Sequence, residues 1–155
     1  MTMQLQAKDS ENPQVPSYLG ITAGSINHIA TQLYEELSSN GYSLLPEDVI
    51  NTAVLEAQYY AAWQMLQAQK NATSTILLDQ NIVLQAAEWA ILDPVIRAHC
   101  DLQQARMMEG VRSLGAEGFG LDVNTATQIY NEARKTMQDE AFFEAPFSYV
   151  TMSGK

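Results

Sequence analysis

The side chains that could do chemistry in this sequence are few and far apart. The two histidines, His28 and His99, lie in different segments, and the single cysteine, Cys100, directly follows His99. Neighbouring residues of a helix point about 100 degrees apart, and a zinc site needs three or four converging ligands. Neither a CxxC nor an HxxxH spacing is present. The sequence therefore predicts no metal site, and we expect Cys100 to be a buried thiol beside a partly exposed histidine.

The acidic residues likewise form no catalytic motif. Asp93, Arg97 and Asp101 are spaced four residues apart, so on a helix the arginine can pair with both acids. The alternative is a contact between subunits through Arg97 and Asp101. The segment 115–120 is rich in glycine but lacks the lysine and the preceding strand of a phosphate-binding loop, so we expect a turn there. The sequence predicts no catalytic residue, no cofactor and no enzyme activity.

Charge and composition exclude several classes of protein. The 18 acidic residues against eight basic ones give a formal charge of −10, which should repel nucleic-acid phosphates, so tight DNA or RNA binding is not expected. The first residues lack an apolar signal region, and no apolar run approaches the roughly 20 residues needed to cross a bilayer. With one cysteine there is no internal disulfide. We expect a protein made in the cytoplasm, with no membrane partner.

Hydrophobic residues at spacings of three and four predict four or five helices. The first should begin at the capping residue Ser25 and end at Asn40-Gly41, and the second should run from Pro46 to about Lys70. Within it Trp63, like Trp89 further on, is expected to be a core anchor. Residues 71–78 are expected to form a loop or a short extended piece.

The second half of the chain predicts further helices. Asp79 should cap a third helix that breaks or kinks sharply at Asp93-Pro94. Beyond the proline, apolar residues should carry the core face as far as Leu114: Val95, Ile96, Ala98, Leu102, Ala105, Met108 and Val111. Asn124 or Thr125 should cap the last helix, which should end near Phe142 and turn one side inward: Ala126, Ile129, Ala133 and Met137.

These elements define the fold class and the domain organisation. The sequence shows no convincing strand pattern and no internal repeat, so the class is all-α, an antiparallel bundle over residues 25–142. Residues 1–24, which are polar and broken by Pro13 and Pro16, are expected to form an extended or flexible arm. Residues 143–155 are expected to form an extended tail.

The tail carries a run of apolar side chains beyond the last helix. Burying five of them would yield on the order of 10 kcal/mol, whereas fixing about a dozen backbone residues costs at least as much. Backbone hydrogen bonds to a partner's sheet edge could supply the difference. We therefore expect the tail to dock on a partner or a neighbouring subunit, with docking on its own bundle as the alternative; the docking residues are Phe143, Pro146, Phe147, Tyr149, Val150 and Met152.

The overall organisation resembles the head-to-tail connector (adaptor or neck) proteins of tailed bacteriophages. The resemblance rests on VINTAVLEAQYYAAWQMLQ, on EWAILDPVIRAHCDLQQARMMEGVRSLG and on the closing APFSYVTM. It implies a structural virion protein in the neck, made in the host cytoplasm. It also implies a homo-oligomeric ring, usually of twelve subunits, which docks to the portal protein through the tail, meets tail or neck proteins on its other side, and lets DNA pass through without tight binding. The alternative function is a small cytoplasmic helical binding or regulatory protein.

Overall fold

The computed structural model describes residues 22–115 and 120–142. These residues form five helices and one small sheet, in the order β1 (Thr22–Ser25), α1 (Ile26–Ser39), α2 (Pro46–Ala61), α3 (Gln67–Lys70), β2 (Val83–Gln85), α4 (Ala86–Arg112) and α5 (Val123–Phe142). The predicted all-α helical bundle is confirmed, and the two-stranded sheet is an addition that was not predicted. Residues 22–24 of the predicted arm belong to β1; the rest of the arm and the whole tail lie outside the described residues.

The first helix has the predicted ends. The Ser25 hydroxyl accepts a hydrogen bond from the backbone nitrogen of His28 at 3.2 Å, which satisfies one of the free donors of the first turn. The helix ends at Ser39, and Gly41 continues the chain with a φ of +88°, a conformation that favours glycine. Its buried face is formed by apolar residues at the helical spacing of three and four: Ile26, Ile29, Ala30, Leu33 and Leu37.

The second helix begins as predicted but ends earlier. Pro46 opens it, and the Asp48 carboxylate accepts from the backbone nitrogen of Leu45 at 3.1 Å. The prediction that α2 reaches Lys70 is wrong, because it ends at Ala61 and the chain turns before the short α3. Leu66 is extended there and fully buried, so the turn brings its side chain into the core. Trp63 lies in the turn and is 38% exposed, so its prediction as a core anchor is also wrong.

The third predicted helix is replaced in its first part by a strand. The Asp79 carboxylate accepts from the backbone nitrogen of Asn81 at 2.8 Å, which closes a tight turn instead of capping a helix. β2 then pairs antiparallel with β1, and the pairing continues in a bond from the backbone nitrogen of Ile26 to the carbonyl oxygen of Ile82 at 2.9 Å. Two consecutive β-branched residues, Ile82 and Val83, favour this extended conformation.

The predicted break at Pro94 is absent, because α4 is continuous from Ala86 to Arg112. A proline inside a helix costs about 3 kcal/mol. Leu92, Val95 and Ile96 around it are fully buried, and each is worth roughly 1.5 to 3 kcal/mol, so their burial outweighs the lost hydrogen bond. The core face is shorter than predicted: burial ends at Ala105, and Leu114 is 87% exposed.

The last helix packs against α4. It begins at Val123, because Asp122, and not Asn124 or Thr125 as predicted, acts as the cap and accepts from the backbone nitrogen of Thr125 at 3.0 Å. Met137 and Ala141 join the main core, whereas Ala126 packs with Leu102 and Ala105 in a second, smaller cluster. Across residues 22–115 and 120–142, none of the helices combines the length and the apolarity that a bilayer crossing requires.

Candidate functional site

A fully buried carboxylate lies at the centre of the bundle. Glu56 falls on the inward stripe of α2, one turn after Thr52 and one turn before Tyr60, and its side chain is only 1% exposed. Burying a charged carboxylate is costly unless it is paired and hydrogen-bonded. The neighbours of Glu56 therefore decide what this group can do.

Two hydrogen-bond donors from different helices converge on one oxygen of Glu56. His99 of α4 lies with Nδ1 2.8 Å from Oε1, and the hydroxyl of Tyr130 of α5 donates to the same oxygen at 2.6 Å. Because a carboxylate only accepts, the hydrogen of the imidazole is placed on Nδ1. The two rings also contact each other, with centroids 4.7 Å apart. Three helices thus fix the position of one carboxylate oxygen.

The second oxygen of Glu56 faces an arginine. The Nε of Arg134 lies 3.5 Å from Oε2, which is an ion pair without hydrogen-bond geometry, and both atoms are buried with no hydrogen-bond partner among the described residues. The guanidinium of Arg134 lies 3.7 Å above the centre of the Tyr59 ring. Its side chain is 36% exposed, so Arg134 forms the outer edge of the cluster.

A comparison with Glu88, which is 8% exposed, shows what is unusual about Glu56. Both oxygens of Glu88 accept from backbone nitrogens, Oε1 from Gln67 at 2.6 Å and Oε2 from Gln85 at 2.8 Å. These bonds hold the beginnings of α3 and α4 together, so Glu88 has a structural role. Glu56 Oε2, by contrast, keeps lone pairs available for a proton or a positive charge.

The polar contacts continue for one more helical turn along the interface between α2 and α4. Gln103, one turn after His99, donates from Nε2 to the hydroxyl of Thr52 at 2.9 Å. Its Oε1 is buried without a hydrogen-bond partner among the described residues. We call Glu56, Tyr59, His99, Tyr130 and Arg134 the Glu56 cluster, with the pair of Thr52 and Gln103 beside it.

The environment of the Glu56 cluster keeps Tyr130 protonated. Burial raises the pKa of the Tyr130 hydroxyl well above its usual range, and the hydrogen bond to the Glu56 carboxylate raises it further. Tyr130 is therefore a permanent donor at neutral pH. In chemical terms the cluster offers a fixed carboxylate, with one oxygen held by donors and the other facing a cation that reaches the surface.

The predicted site residues on α4 lie elsewhere. Arg97 pairs with Asp93 at 2.9 Å as predicted, but its two terminal nitrogens bind Glu36 of α1 at 2.7 and 3.0 Å. Asp101 does not pair with Arg97; it accepts a hydrogen bond from the hydroxyl of Tyr42. Both side chains are thus engaged within the chain, and a contact between subunits through them stays a prediction.

The remaining predicted site residues can be placed only in part. Cys100 is completely buried, as predicted, and burial raises the pKa of its thiol to about 12. Within the described residues no group of three or more histidine, cysteine or acidic side chains could hold a metal ion. The tail residues lie outside the described residues, and their binding to a partner stays a prediction: Phe143, Pro146, Phe147, Tyr149, Val150 and Met152.

Sequence reasoning missed the Glu56 cluster because its members are far apart in the chain. His99 is 43 residues from Glu56, and Tyr130 is 74 residues away. One signal was present: Glu56 falls on the same helical stripe as Val49, Ala53 and Tyr60, which are all buried. An acid on an otherwise apolar stripe indicates a carboxylate with partners inside the fold.

Comparison with known families identifies a family to which the chain is similar. The family model of the DNA alkylation repair enzyme matches residues 12–106, a range that includes Glu56, Tyr59 and His99 and ends before α5. Comparisons with curated proteins and with solved structures found no match.

The family match corrects the functional predictions. The resemblance to phage connectors is wrong, and so are the structural virion role and the ring that binds portal and tail proteins, because the matching family is one of DNA repair enzymes. The prediction of no enzyme activity is wrong for the same reason, and the alternative of a small regulatory protein is not supported. The prediction of no tight DNA binding rests on the net charge, which is an average over the chain and does not describe a local site. Because the match spans more than half of its length, the chain belongs to the DNA alkylation repair enzyme family.

Proposed function

We propose that this protein repairs alkylated DNA by hydrolysing the bond between an alkylated base and its sugar, and that Glu56 is the carboxylate which assists this step. The family supplies the substrate class, alkylated DNA. The single observation that carries the reaction is the buried Glu56 of α2, held by side chains from α4 and α5, with one oxygen that has no hydrogen-bond partner among the described residues.

The reaction needs negative charge close to the sugar. Alkylation of a ring nitrogen makes the base cationic, so the base leaves with the electron pair of the bond to the sugar. Positive charge then develops on the sugar, as it does in the oxocarbenium-like transition state of glycoside hydrolysis. A carboxylate in a water-poor environment stabilises such charge far better than one in bulk water. Glu56 is the described acid that best meets this requirement.

The other members of the Glu56 cluster have supporting roles. His99 and Tyr130 hold Oε1 and so fix the direction in which Oε2 points. During hydrolysis the oxygen of a water molecule bonds to the anomeric carbon, the base departs, and Oε2 takes the proton released from the water. Arg134 lies over Oε2 in this structure, so its side chain must swing toward solvent for the sugar to approach. Its partial exposure leaves room for that movement.

Transfer of the alkyl group to a cysteine is a second way to repair such a base. It requires a thiolate, since the thiol form is a poor nucleophile. Cys100 is the only cysteine of the chain, it is fully buried, and its pKa is raised to about 12. Alkyl transfer to this thiol is therefore disfavoured, and hydrolysis is the reaction that the described side chains support.

DNA must be held against an unfavourable net charge of −10. The positive side chains nearest to Glu56 on α5 are Arg134 and its neighbour Lys135, which is exposed. The logarithm of the binding constant falls with the logarithm of salt concentration by about 0.9 per phosphate contacted. With two such contacts we expect a slope of about −2, well below that of a strongly basic DNA-binding protein.

The test is the release of a methylated purine from a duplex oligonucleotide that contains one 7-methylguanine, measured by mass spectrometry. We expect release by the unchanged protein and a loss of at least about 100-fold in rate for Glu56→Gln, the size of effect typical of a catalytic acid or base. Glu36→Gln is the matched control, because it removes the charge of an exposed glutamate outside the cluster and should leave the rate unchanged.

Two results would overturn the proposal. If the base were released no faster than from the DNA alone, the protein would not catalyse this reaction. If Glu56→Gln and the unchanged protein had equal rates, Glu56 would take no part in it. Circular dichroism of Glu56→Gln shows whether its helices are intact. If that variant unfolds, Tyr130→Phe replaces it, because it keeps the carboxylate and removes only the donor that positions Oε1.

A further inference from the structure

A cavity lies on the other side of α4 from the Glu56 cluster. It measures about 250 Å³ and opens between the α1–α2 connection, α4 and the beginning of α5. Its main lining residues are Gly41, Tyr42, Asp101, Gln104, Met108 and Leu121. Asp101 follows His99 by two residues, which on a helix is a rotation of about 200 degrees. The cavity is therefore separate from the site assigned above.

Asp101 and Gln104, two polar side chains of this cavity, are each held in place by a hydrogen bond from the α1–α2 connection. The Tyr42 hydroxyl donates to Oδ1 of Asp101, and the backbone nitrogen of Ser43 donates to Oε1 of Gln104 at 2.8 Å. These bonds leave Oδ2 of Asp101 as an acceptor and Nε2 of Gln104 as a donor. Because the two residues are three apart on α4, the acceptor and the donor lie side by side on one face of the helix.

The remaining walls suit a flat, uncharged ring. Met108 is half-buried, Leu121 is 41% exposed, and Tyr42 adds an aromatic ring. Pockets for drug-sized ligands measure roughly 300 to 1,000 Å³, so this cavity fits something smaller, of the size of a single heterocyclic base. The Tyr42 hydroxyl stays protonated there, because burial and the hydrogen bond to Asp101 raise its pKa to about 12.

We propose that this cavity binds an adenine-type base, a planar heterocycle with an amino group beside a ring nitrogen. The amino group donates to Oδ2 of Asp101, and the ring nitrogen accepts from Nε2 of Gln104. An amide side chain reads adenine through the same pair of atoms, the amino group and the neighbouring ring nitrogen. The negative carboxylate also argues that any phosphate of the ligand remains outside the cavity.

The ligand pair for the test differs only in the amino group. Adenine and unsubstituted purine are titrated separately into the full-length protein, and binding is followed by changes in the NMR spectrum. A site with paired hydrogen-bonding groups rejects an analogue that leaves one of them unmatched. We expect purine to bind at least tenfold more weakly than adenine. No binding of adenine, or equal binding of the two, would overturn the proposal.

Two tryptophan variants show whether the binding occurs in this cavity. Leu121→Trp enlarges a partly exposed side chain of the wall and should weaken adenine binding at least tenfold. Leu114→Trp is the control, because Leu114 is 87% exposed and does not line the cavity. If adenine bound equally well to both variants, the binding would lie elsewhere and the assignment would be wrong. Both substitutions are at exposed positions, so the fold should tolerate them, which thermal unfolding verifies.

The adenine-type base could be a free base or part of a flexible DNA strand, and a further experiment distinguishes these two sources. A short thymine strand with one central adenine is compared with an all-thymine strand. Tighter binding of the adenine-containing strand, abolished by Leu121→Trp, indicates a base within DNA. Equal binding of the two strands, together with binding of free adenine, indicates the free base. The readout is binding and not base release, so its outcome is independent of the function proposed for Glu56.

Discussion

The described part of the chain contains two carboxylate–arginine clusters of similar composition and different surroundings. In the Glu56 cluster the carboxylate side chain is 1% exposed and the arginine, Arg134, comes from α5. In the second cluster Glu36 of α1 is 52% exposed and binds Arg97 of α4, which also pairs with Asp93. The exposed cluster has the better hydrogen-bond geometry, yet the buried one is the candidate site. Burial, not the number of contacts, decides which charges have energetic and chemical importance.

The exposed cluster illustrates how little good geometry contributes in water. Two parallel hydrogen bonds join Arg97 and Glu36, and Arg97 lowers the pKa of Glu36. Solvent competes for both partners, so such surface pairs add little stability. The buried cluster behaves differently, because removal of one member leaves the others without solvent to replace it.

The largest expected effect comes from breaking the buried cluster. Glu56→Ala should lower the free energy of unfolding by about 3 kcal/mol, because His99 and Tyr130 lose their acceptor inside the fold. Urea denaturation followed by circular dichroism measures the change. Glu36→Ala is the matched variant in the exposed cluster and should change stability far less. Equal losses in the two variants would show that burial does not distinguish the clusters.

A smaller effect is expected when only the hydroxyl of Tyr130 is removed. Tyr130→Phe keeps the ring against His99 and deletes one hydrogen bond to a charged group, which should cost about 2 kcal/mol. The same urea denaturation measures it. Tyr34→Phe is the control, because Tyr34 belongs to neither cluster and its loss should be small. If Tyr130→Phe were as stable as the unchanged protein, the hydroxyl would not support the carboxylate.

The dependence of stability on alkaline pH tests the environment of Tyr42, whose pKa is raised to about 12 from the ordinary value of 10.0. Below the unfolded value both states keep the proton, so the contribution of Tyr42 is fully present. As pH rises from about 10 to 12 the unfolded chain releases the proton first, and stability falls. Partial exposure limits the loss to about 1 kcal/mol. Tyr42→Phe should show a flatter decline of unfolding free energy over this range; an identical decline would argue against the shifted pKa.

The smallest effect is expected at low pH from the exposed cluster. The folded-state pKa of Glu36 is lowered by Arg97 from its ordinary value of 4.5, so its contribution is present above that value and is lost as pH falls below it. Glu36→Gln should remove this part of the acid dependence, as measured by thermal unfolding between pH 3 and 7. The difference should shrink further in 1 M salt, since exposed pairs are screened. A difference unaffected by salt would indicate a pair less exposed than the structure shows.

Helix ends could be predicted wherever local chemistry decides them. Ser25 and Pro46 begin helices because a cap hydroxyl and a first-turn proline act within a few residues. The predictions of a helix cap at Asp79 and of a helix break at Pro94 were wrong, because the structure at both residues depends on distant contacts. The strand after Asp79 exists only by pairing with β1, and the helix continues through Pro94 because its neighbours are buried in the core.

The candidate site was less predictable than the fold for the same reason. Hydrophobic periodicity identifies the inward face of α2, but it does not show that His99 and Tyr130 meet that face at Glu56. The functional class came from the family match and not from residue types. A net charge of −10 pointed away from DNA because it averages over the whole chain.

Three consecutive residues of α4 face three different surroundings: His99 contacts Glu56, Cys100 lies in the core, and Asp101 binds Tyr42 beside the cavity on the other side of α4. A single turn of α4 therefore contributes a residue to each of the two proposed sites. Any twist of α4 that shifts the imidazole must also shift the Asp101 carboxylate, and the packed thiol between them resists both movements at once. We therefore expect a ligand bound on one side of α4 to change the geometry on the other.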